Sequence, residues 1–444
     1  MPPLPATLRR VFITLCMLTR TTEWAAGRVG AGYFLPALFV LRYASMGGLD
    51  PSVFAAHMRG IRSFKDETWC TYWNHLAQEQ LRGLPFTVPG LEELLSADVH
   101  EIQSTPPLNW DNLRLALAPL GAGVVELMQH EADDAALAGQ DAHTTQAAVA
   151  VLRGLVKAIT YYQVSAFPGE TAARMRAYHL SRRLFDELIS IVAPVVGISI
   201  NQHEIQVGNT SVKGYLVTPP GSHAAPLAII TNGLEGTVQE LAIPLLKYHA
   251  AGLAVFFMEM PGTYAHQEPM SAATEAVYHG VIDQLAQHPR VDPERIGFVG
   301  VSFGGYWAAR MAATSPRLRC VVACGAPSHR SFQLGNSIGI PDIIVRALMH
   351  TTGTHSLHAL MPRLRGLSLR KQYRRIKVPL LVINGDNDTL LSTQDSVDLA
   401  TEAPLGELQL YPNDDHCAMG HYHEWLALSQ TWMLGHLLPA ASPP

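Results

Sequence analysis

Charge is scarce in this chain, and neither sign is in large excess. Charged residues make up 16% of the 444 residues, with 32 basic and 37 acidic side chains and a formal net charge of −5. Proteins that bind nucleic acid carry a basic excess, so this balance argues against such a partner. The densest basic stretch, residues 363–375, is typical of the solvated face of a helix. Apolar residues, in contrast, reach 48% of the chain and allow a large core.

Cysteine is also rare, and long apolar runs are missing. The five cysteines form an odd set without zinc-site spacing, which favours free thiols in a reducing, cytoplasmic compartment. Two apolar runs, residues 11–18 and 29–41, are too short to cross a bilayer. We expect them to form core helices, with a surface-attached helix pair as the alternative, and we expect no membrane span.

Internal repeats and low-complexity segments are absent from the sequence, but the spacing of apolar residues changes near residue 195. Residues 1–195 show helical spacing with few β-branched runs, which predicts a helical N-terminal or cap domain. Residues 196–440 show a strand pair followed by short buried runs that alternate with helical segments. This alternation predicts an α/β fold with a mostly parallel eight-stranded sheet flanked by helices. Residues 328–375 interrupt the alternation, and we expect them to form a lid-like insertion.

The elements predicted after residue 195 can be stated as ranges. The strands cover residues 198–207, 212–218, 227–231, 254–258, 296–299, 321–324, 380–383 and 408–411. The helices cover residues 239–251, 272–287, 303–314, 393–401 and 421–436.

The most informative motif is Gly300-Val301-Ser302-Phe303-Gly304. It has the G-x-S-x-G pattern of a nucleophile elbow, a strained strand-to-helix turn that exposes a serine hydroxyl. The pattern alone is weak, but a buried strand precedes it and a helix follows, as the elbow requires. The sequence therefore predicts Ser302 as a nucleophile, against the alternative of a glycine-rich turn that only packs a helix on a sheet.

A serine hydroxyl needs a base, and the base needs an orienting acid. Two aspartates follow the buried strand at 380–383, and either Asp386 or Asp388 could supply the acid. His416 follows the last strand and is the predicted base. A metal site built from His416, His421 and His423 with the nearby Asp415 is the alternative, although a serine nucleophile needs no metal. Asp414 and Asp415, just before His416, are interpreted as loop residues that cap the following helix.

An oxyanion hole usually takes its first N–H group from the residue after the nucleophile, which here is Phe303. The second comes from the loop after the third strand, Thr231-Asn-Gly-Leu-Glu-Gly236. Either Leu234 or Glu235 would present that N–H group, and an ordinary strand-to-helix turn is the alternative.

Together these motifs resemble one branch of the α/β-hydrolase superfamily. The branch contains dihydroxypseudooxynicotine hydrolase, fungal polyketide-shortening hydrolases and fermentation–respiration-switch esterase-like proteins. The likeness covers roughly residues 150–440 and includes Tyr161-Tyr-Gln-Val-Ser-Ala-Phe-Pro168, Tyr178-His-Leu-Ser181, Gly214-Tyr-Leu-Val-Thr-Pro-Pro220, Gly233-Leu-Glu-Gly-Thr-Val-Gln-Glu240 and Met258-Glu-Met-Pro-Gly-Thr263. Val238-Gln239 and Tyr264 depart from the residues that are usual in this branch.

The resemblance implies an α/β-hydrolase fold behind a helical cap, with Ser302, Asp388 and His416 as the catalytic triad. It also suggests a homodimer. Glu240 matches a family glutamate that can face the substrate, although an ordinary helix-start carboxylate fits equally well. Some members of the branch cleave carbon–carbon bonds beside a ketone, whereas others are esterases.

The sequence thus predicts a serine hydrolase that acts through an acyl-enzyme and needs neither a cofactor nor a metal. The expected substrate is a ketone or ester of an aromatic or polyketide-like small molecule, with carbon–carbon cleavage or chain shortening slightly favoured. A carboxylesterase, thioesterase or acyltransferase would use the same residues. A non-catalytic binding protein derived from a hydrolase is the alternative of another class.

Overall fold

The structure is a computed structural model that describes residues 6–36, 38–129, 142–221, 223–240, 252–266, 268–333 and 338–438. The chain folds into two compact units. One contains Glu23–Tyr33 and Val40–Ile200, and the other contains Met1–Thr22, Phe34–Phe39 and Asn201–Pro444. Residues 6–22 therefore group with the second half of the chain rather than with the helical unit.

In the described part of the first unit, every regular element up to Val196 is a helix. The helices in this part of the chain, together with α1 of the other unit, are α1 (Ala6–Leu18), α2 (Thr22–Val29), α3 (Leu38–Gly47), α4 (Pro51–Gly60), α5 (Asp66–Arg82), α6 (Leu91–Ser96), α7 (Val99–Ser104), α8 (Asp111–Leu117), α9 (Gly123–Gln129), α10 (Ala142–Ala166) and α11 (Ala172–Val196). None of the helices within the described ranges is long and apolar enough to cross a membrane.

Helices α5, α10 and α11 form the centre of this unit. Trp69 on α5 is fully buried, and its indole N–H donates to the Val164 carbonyl on α10 at 3.0 Å. Arg174 on α11 is 1% exposed; it donates to two backbone carbonyls and pairs with Asp66 at 2.8 Å. A buried guanidinium is tolerated only when it is paired and hydrogen-bonded, so Arg174 fixes the start of α11 against the start of α5.

The second unit contains an eight-stranded sheet with the order β1-β2-β4-β3-β5-β6-β7-β8. Its strands are β1 (Ser199–Val207), β2 (Thr210–Thr218), β3 (Ala225–Thr231), β4 (Ala254–Met258), β5 (Val291–Val301), β6 (Leu318–Cys324), β7 (Leu380–Gly385) and β8 (Gly406–Tyr411). Strand β2 runs antiparallel to β4, whereas the neighbouring pairs from β4 to β8 are parallel. The mostly parallel eight-stranded sheet predicted from the sequence is confirmed.

The centre of the sheet is buried, and helices cover it. Every residue of β3, β4 and β7 is buried, as expected for parallel strands with helices on both faces. The helices described here are α12 (Glu275–Leu285), α13 (Phe303–Thr314), α14 (Asp342–Thr351), α15 (Leu357–Arg365), α16 (Thr393–Glu402) and α17 (Tyr422–Leu437). Both α14 and α15 belong to the predicted 328–375 insertion. Most of the helix predicted over residues 239–251 lies outside the described residues, since the description stops at residue 240 and resumes at 252.

A buried carboxylate, that of Asp395 on α16, fixes the loop that follows β6. Asp395 is 0% exposed and accepts four backbone N–H groups. They belong to Ser328, His329, Arg330 and Ser331, at distances of 2.7 to 3.1 Å. This loop leads into Phe332, whose ring lies 6.0 Å from that of Phe303, the residue after Ser302.

We expect Asp395→Ala to lower the free energy of unfolding by about 2–4 kcal/mol, because four backbone donors lose a charged acceptor. The matched control is Asp398→Ala on the same helix, whose carboxylate pairs with the half-exposed Arg330 and Arg370. Removing such a pair costs no more than about 1 kcal/mol. Urea-induced unfolding of both variants measures the difference, and equal losses would contradict the role given to Asp395.

Candidate active site

Ser302 lies in a tight turn between β5 and α13. Its backbone has φ 58° and ψ −122°, which is unfavourable for a residue with a side chain. The turn is so tight that a Cβ atom at Gly300 would lie 2.0 Å from the Gly304 carbonyl oxygen. The Ser302 N–H donates to the Cys324 carbonyl at the end of β6 at 2.7 Å, which holds the turn against the sheet. Local geometry thus follows the strand–turn–helix form of a nucleophile elbow.

The structure brings Ser302, His416 and Asp388 into one hydrogen-bonded chain. His416 Nε2 lies 2.8 Å from Ser302 Oγ, and His416 Nδ1 lies 2.8 Å from Asp388 Oδ2. The three residues follow β5, β8 and β7, so parallel strands deliver them to the same edge of the sheet. The imidazole and the carboxylate are buried, whereas Ser302 is partly exposed. This geometry allows the imidazole to take the hydroxyl proton while the carboxylate orients it.

Asp388 is held in its ionised form by donors on both carboxylate oxygens. Oδ1 accepts the Leu390 and Leu391 N–H groups at 2.9 and 2.7 Å, and Oδ2 faces His416. Burial opposes ionisation, but His416, the Leu391 N–H and the Asn384 amide together lower the pKa of the Asp388 carboxyl. The negative charge next to the imidazole is therefore present at neutral pH.

His416 is fully surrounded by protein. Burial opposes its charged form, yet its neighbours Cys417 and Asp388 and the hydrogen bond to Asp388 raise its pKa well above the ordinary value of 6.5. Burial also raises the pKa of the Cys417 thiol well above its usual 9.0, so this thiol is neutral near pH 7. Ionised Asp388 is therefore the group that stabilises the imidazolium at that pH.

The competing residues have other partners. Asp386 accepts the Asn413 N–H at 2.8 Å and so joins the turn after β7 to the turn after β8. His421 lies 2.8 Å from Asp414 and stacks on Tyr411, and His423 is exposed. In the described part of the chain, no group of three or more histidine, cysteine or acidic side chains could hold a metal ion.

The loop after β3 lies directly against the elbow. Thr231 at the end of β3 pairs with Gly300 of β5, and a Cβ atom at Gly233 would lie 2.6 Å from Ser302 Cβ and 2.9 Å from the Phe303 nitrogen. Only glycine allows this approach. The Gly236 N–H donates to the Gly233 carbonyl at 3.0 Å, which closes a turn with Leu234 and Glu235 at its corners.

One feature of the elbow and one of this turn agree with a role in anion binding. Phe303 is the first residue of α13, so its N–H has no acceptor within its own helix. Glu235 has a positive φ of 56°, a conformation that is unfavourable for a residue with a side chain. Which N–H groups bind the oxyanion stays a prediction for Phe303, Leu234 and Glu235.

Glu240 is buried near the same loop. It is 2% exposed, and its Oε1 lies 3.4 Å from the Thr237 nitrogen and 3.5 Å from the Thr237 hydroxyl. Residues 238–240 are helical, so these contacts are those of a carboxylate in the first turn of a helix. Contact between Glu240 and a substrate stays a prediction.

Sequence reasoning missed Asn384, the polar residue near the end of the otherwise apolar β7. It is 1% exposed and contacts both Asp388 and the residue after His416. The available signal was an amide within a buried run, because a buried amide needs hydrogen-bond partners. Which partners it has depends on residues far along the chain.

Comparison with known proteins shows which family this chain matches. The model of the family described as "Esterase FrsA-like" matches residues 127–437. Esterase FrsA from Vibrio cholerae serotype O1 is 26% identical over 251 residues, which are 54% of this chain and 60% of that protein. Esterase FrsA from Serratia proteamaculans is 25% identical over 292 residues, 63% of this chain and 69% of the relative. The chain thus spans about 60% of the length of the Vibrio relatives.

Solved structures show the same fold. The 2,6-dihydroxy-pseudo-oxynicotine hydrolase superposes with a TM-score of 0.63 and 18% identity, covering 90% of this chain and 95% of that one. AbyA5 superposes with a TM-score of 0.58 and 22% identity, covering 64% of this chain and 84% of that one. Both likenesses concern the α/β-hydrolase architecture.

Proposed function

The chain belongs to the FrsA-like esterase family, and on that premise we propose that it is a serine hydrolase that needs no cofactor. The observation that carries this proposal is the chain of two 2.8 Å contacts from Ser302 through His416 to Asp388, at a nucleophile elbow. A buried ionised carboxylate, an imidazole and a strained serine in this order are the parts that activate a hydroxyl for acyl transfer.

The reaction would begin with attack of Ser302 Oγ on a substrate carbonyl carbon. His416 Nε2 takes the hydroxyl proton, and Asp388 stabilises the imidazolium that forms. The Phe303 N–H, with that of Leu234 or Glu235, stabilises the oxyanion. His416 then protonates the leaving group as the acyl-enzyme forms, and water activated by the same imidazole releases the acid.

The family and its named relatives favour an ester as the substrate. Hydrolysis of a carbon–carbon bond beside a ketone, or chain shortening of an aromatic or polyketide-like molecule, is the second candidate. It is supported by the resemblance of the sequence blocks to such hydrolases and by the fold shared with 2,6-dihydroxy-pseudo-oxynicotine hydrolase. The same residues serve both reactions if His416 protonates a stabilised carbanion instead of an alkoxide.

Turnover of a p-nitrophenyl ester and of an aryl β-diketone by the purified protein tests these two substrate classes. We expect rapid ester hydrolysis, because the leaving phenolate needs little assistance from His416. Diketone cleavage at a comparable rate would support carbon–carbon hydrolysis as a second activity. Turnover of the ester alone would rule that second candidate out. Addition of alcohol or amine acceptors distinguishes hydrolysis from acyl transfer through the products. A protein that neither turns over a substrate nor reacts with a fluorophosphonate would instead be a binding protein.

A homodimer and a cytoplasmic location also belong to this proposal. The family resemblance supports the first, and the free cysteines of the described chain support the second. Size-exclusion chromatography with light scattering measures the oligomeric state directly.

A further inference from the structure

Asn384 bridges the acid and the base of the proposed site. Its side-chain Nδ2 donates to Asp388 Oδ2 at 3.0 Å, the oxygen that also faces His416. Its Oδ1 accepts the Cys417 N–H at 2.9 Å. Asn384 is 1% exposed, so both bonds form away from bulk water.

The two bridging bonds already determine the orientation of this amide, and a third contact agrees with it. Nδ2 also lies within hydrogen-bonding distance of Ser396 Oγ, at 3.3 Å. A side-chain amide has two N–H donors on nitrogen and an acceptor on oxygen. The two N–H groups of Asn384 can donate to Asp388 and Ser396, while its oxygen accepts the Cys417 N–H. The reversed amide would place an oxygen against the Asp388 carboxylate. Asparagine therefore satisfies all its neighbours in one orientation.

The backbone next to His416 needs such an anchor. Cys417 and Ala418 have φ values of 59° and 47°, so two successive residues with side chains adopt a left-handed conformation. This conformation is strained and persists only when the surroundings hold it. The bond from Asn384 holds the first of these residues, and His416 directly precedes it.

We propose that Asn384 is a positioning residue that fixes the distance between the Asp388 carboxylate and the His416 imidazole. This inference rests on the proposed serine hydrolase function. Asn384 does not contact Ser302 in the described structure; it acts through its two hydrogen bonds, one on the acid and one beside the base.

A second bridge lies on the more exposed side of the same pair. Asp415 accepts the Thr389 N–H at 2.6 Å and the His416 N–H at 2.8 Å, and so ties the residue after the acid to the backbone of the base. Water can replace the bonds of this outer bridge more easily than those of the buried one. We therefore assign the larger positioning effect to Asn384.

Asn384→Ala removes both bonds, and we expect kcat to fall about 10- to 100-fold with little change in KM, because the imidazole loses its alignment. The matched control is Ser396→Ala, which removes a buried hydroxyl from the amide but leaves the bonds to Asp388 and Cys417. It should keep kcat within about twofold, since the two bridging bonds remain. Steady-state kinetics with a p-nitrophenyl ester measures both variants.

The pH profile separates positioning from a merely structural role. The base must be neutral, so kcat/KM rises as His416 loses its proton, and the wild-type midpoint should lie above pH 6.5 because the pKa of His416 is raised. Without the Asn384 donor, Asp388 Oδ2 carries more charge toward His416, and the midpoint should move to higher pH. In the described chain, the titratable groups near this imidazole are those of Asp388, Cys417, Asp415 and Cys324. The substitution removes a hydrogen bond to Asp388 and one to Cys417, and it leaves the hydrogen bonds of Asp415 and Cys324 in place.

Asn384→Asp keeps an oxygen for the Cys417 N–H but places a second carboxyl group beside Asp388. Two buried carboxyl groups at hydrogen-bonding distance cannot both ionise, so they share one proton, which bridges them as the amide N–H does in the wild type. We expect kcat and the midpoint of this variant to lie nearer the wild-type values than those of Asn384→Ala. If Asn384→Ala fails to fold, Asn384→Leu, which fills the space of the amide but forms neither bond, provides the test. An unchanged midpoint and kcat in the folded variant that lacks both bonds, with only a lower melting temperature, would overturn the positioning role.

Ser302→Ala distinguishes this inference from the proposed function. If Ser302→Ala keeps ester turnover, the proposed function itself is wrong. If Ser302→Ala is inactive while the Asn384 variants keep the wild-type kcat and pH midpoint, the hydrolase proposal stands and only the role of Asn384 is lost.

Discussion

Ser302→Ala is expected to lower kcat for ester hydrolysis by about 10⁴- to 10⁶-fold, because no other hydroxyl lies on the elbow to form the acyl-enzyme. Binding should change little, since removal of one oxygen leaves the backbone of the turn in place. Covalent labelling by a fluorophosphonate probe, followed by mass spectrometry of the labelled peptide, checks the same residue without any knowledge of the natural substrate.

The control for this experiment is Ser396→Ala, which removes a buried hydroxyl near the same sheet edge but leaves Ser302 and its contact to His416 in place. Labelling should persist in this control and vanish in Ser302→Ala. Labelling of Ser302→Ala at the wild-type rate would show that the nucleophile is a different residue.

Asp388→Asn is expected to lower kcat by about 10⁴-fold with a small change in KM. The amide has nearly the shape of the carboxylate, but it carries no charge to stabilise the imidazolium. It can also present an N–H group to His416 Nδ1, which favours the tautomer with its proton on Nε2 and removes the base from Ser302. Steady-state kinetics and a melting curve together show whether catalysis is lost without loss of the fold.

Asp386→Asn is the matched control, because Asp386 lies two residues away in the same turn. Its carboxylate accepts the Asn413 N–H, and an asparagine oxygen can accept that bond equally well. Activity should therefore stay close to that of the wild type. A larger loss in Asp386→Asn than in Asp388→Asn would reverse the assignment of the acid, which the sequence alone had left open between the two.

The sheet was predictable because its central strands are apolar runs of the length of a strand. Strands β3, β4 and β7 are buried at every residue, and each was predicted to within two residues at its ends. The first half of β5 was missed, since Asp292-Pro-Glu-Arg295 is polar and resembles a loop. This polar segment is still part of β5, because Val291 pairs with Ala225 of β3 ahead of a shift in register.

The contacts that complete the site depend on which strands become neighbours, and the local pattern does not contain that information. Asp395 binds a loop 64 to 67 residues earlier in the chain. The approach of Gly233 to Ser302 requires β3 to lie beside β5, although β4 comes between them in sequence. Similarly, Arg10 on α1 donates to the Ile338 carbonyl at 2.8 Å, which joins α1 to the unit that contains the sheet. The apolar spacing of α1 resembles that of the other helices before residue 195, so the sequence pattern did not indicate this contact.

The positive φ angles of Glu235, Ser302, Cys417 and Ala418 also limit how this protein can change during evolution or engineering. Ser302 is the proposed nucleophile, Glu235 belongs to the proposed oxyanion loop, and Cys417 and Ala418 directly follow the proposed base, so the backbone shape of these turns is part of the proposed chemistry. Libraries that vary these turns would mostly return inactive clones. Substitutions meant to change the substrate range should be made on other segments, with the residues of these turns left unchanged.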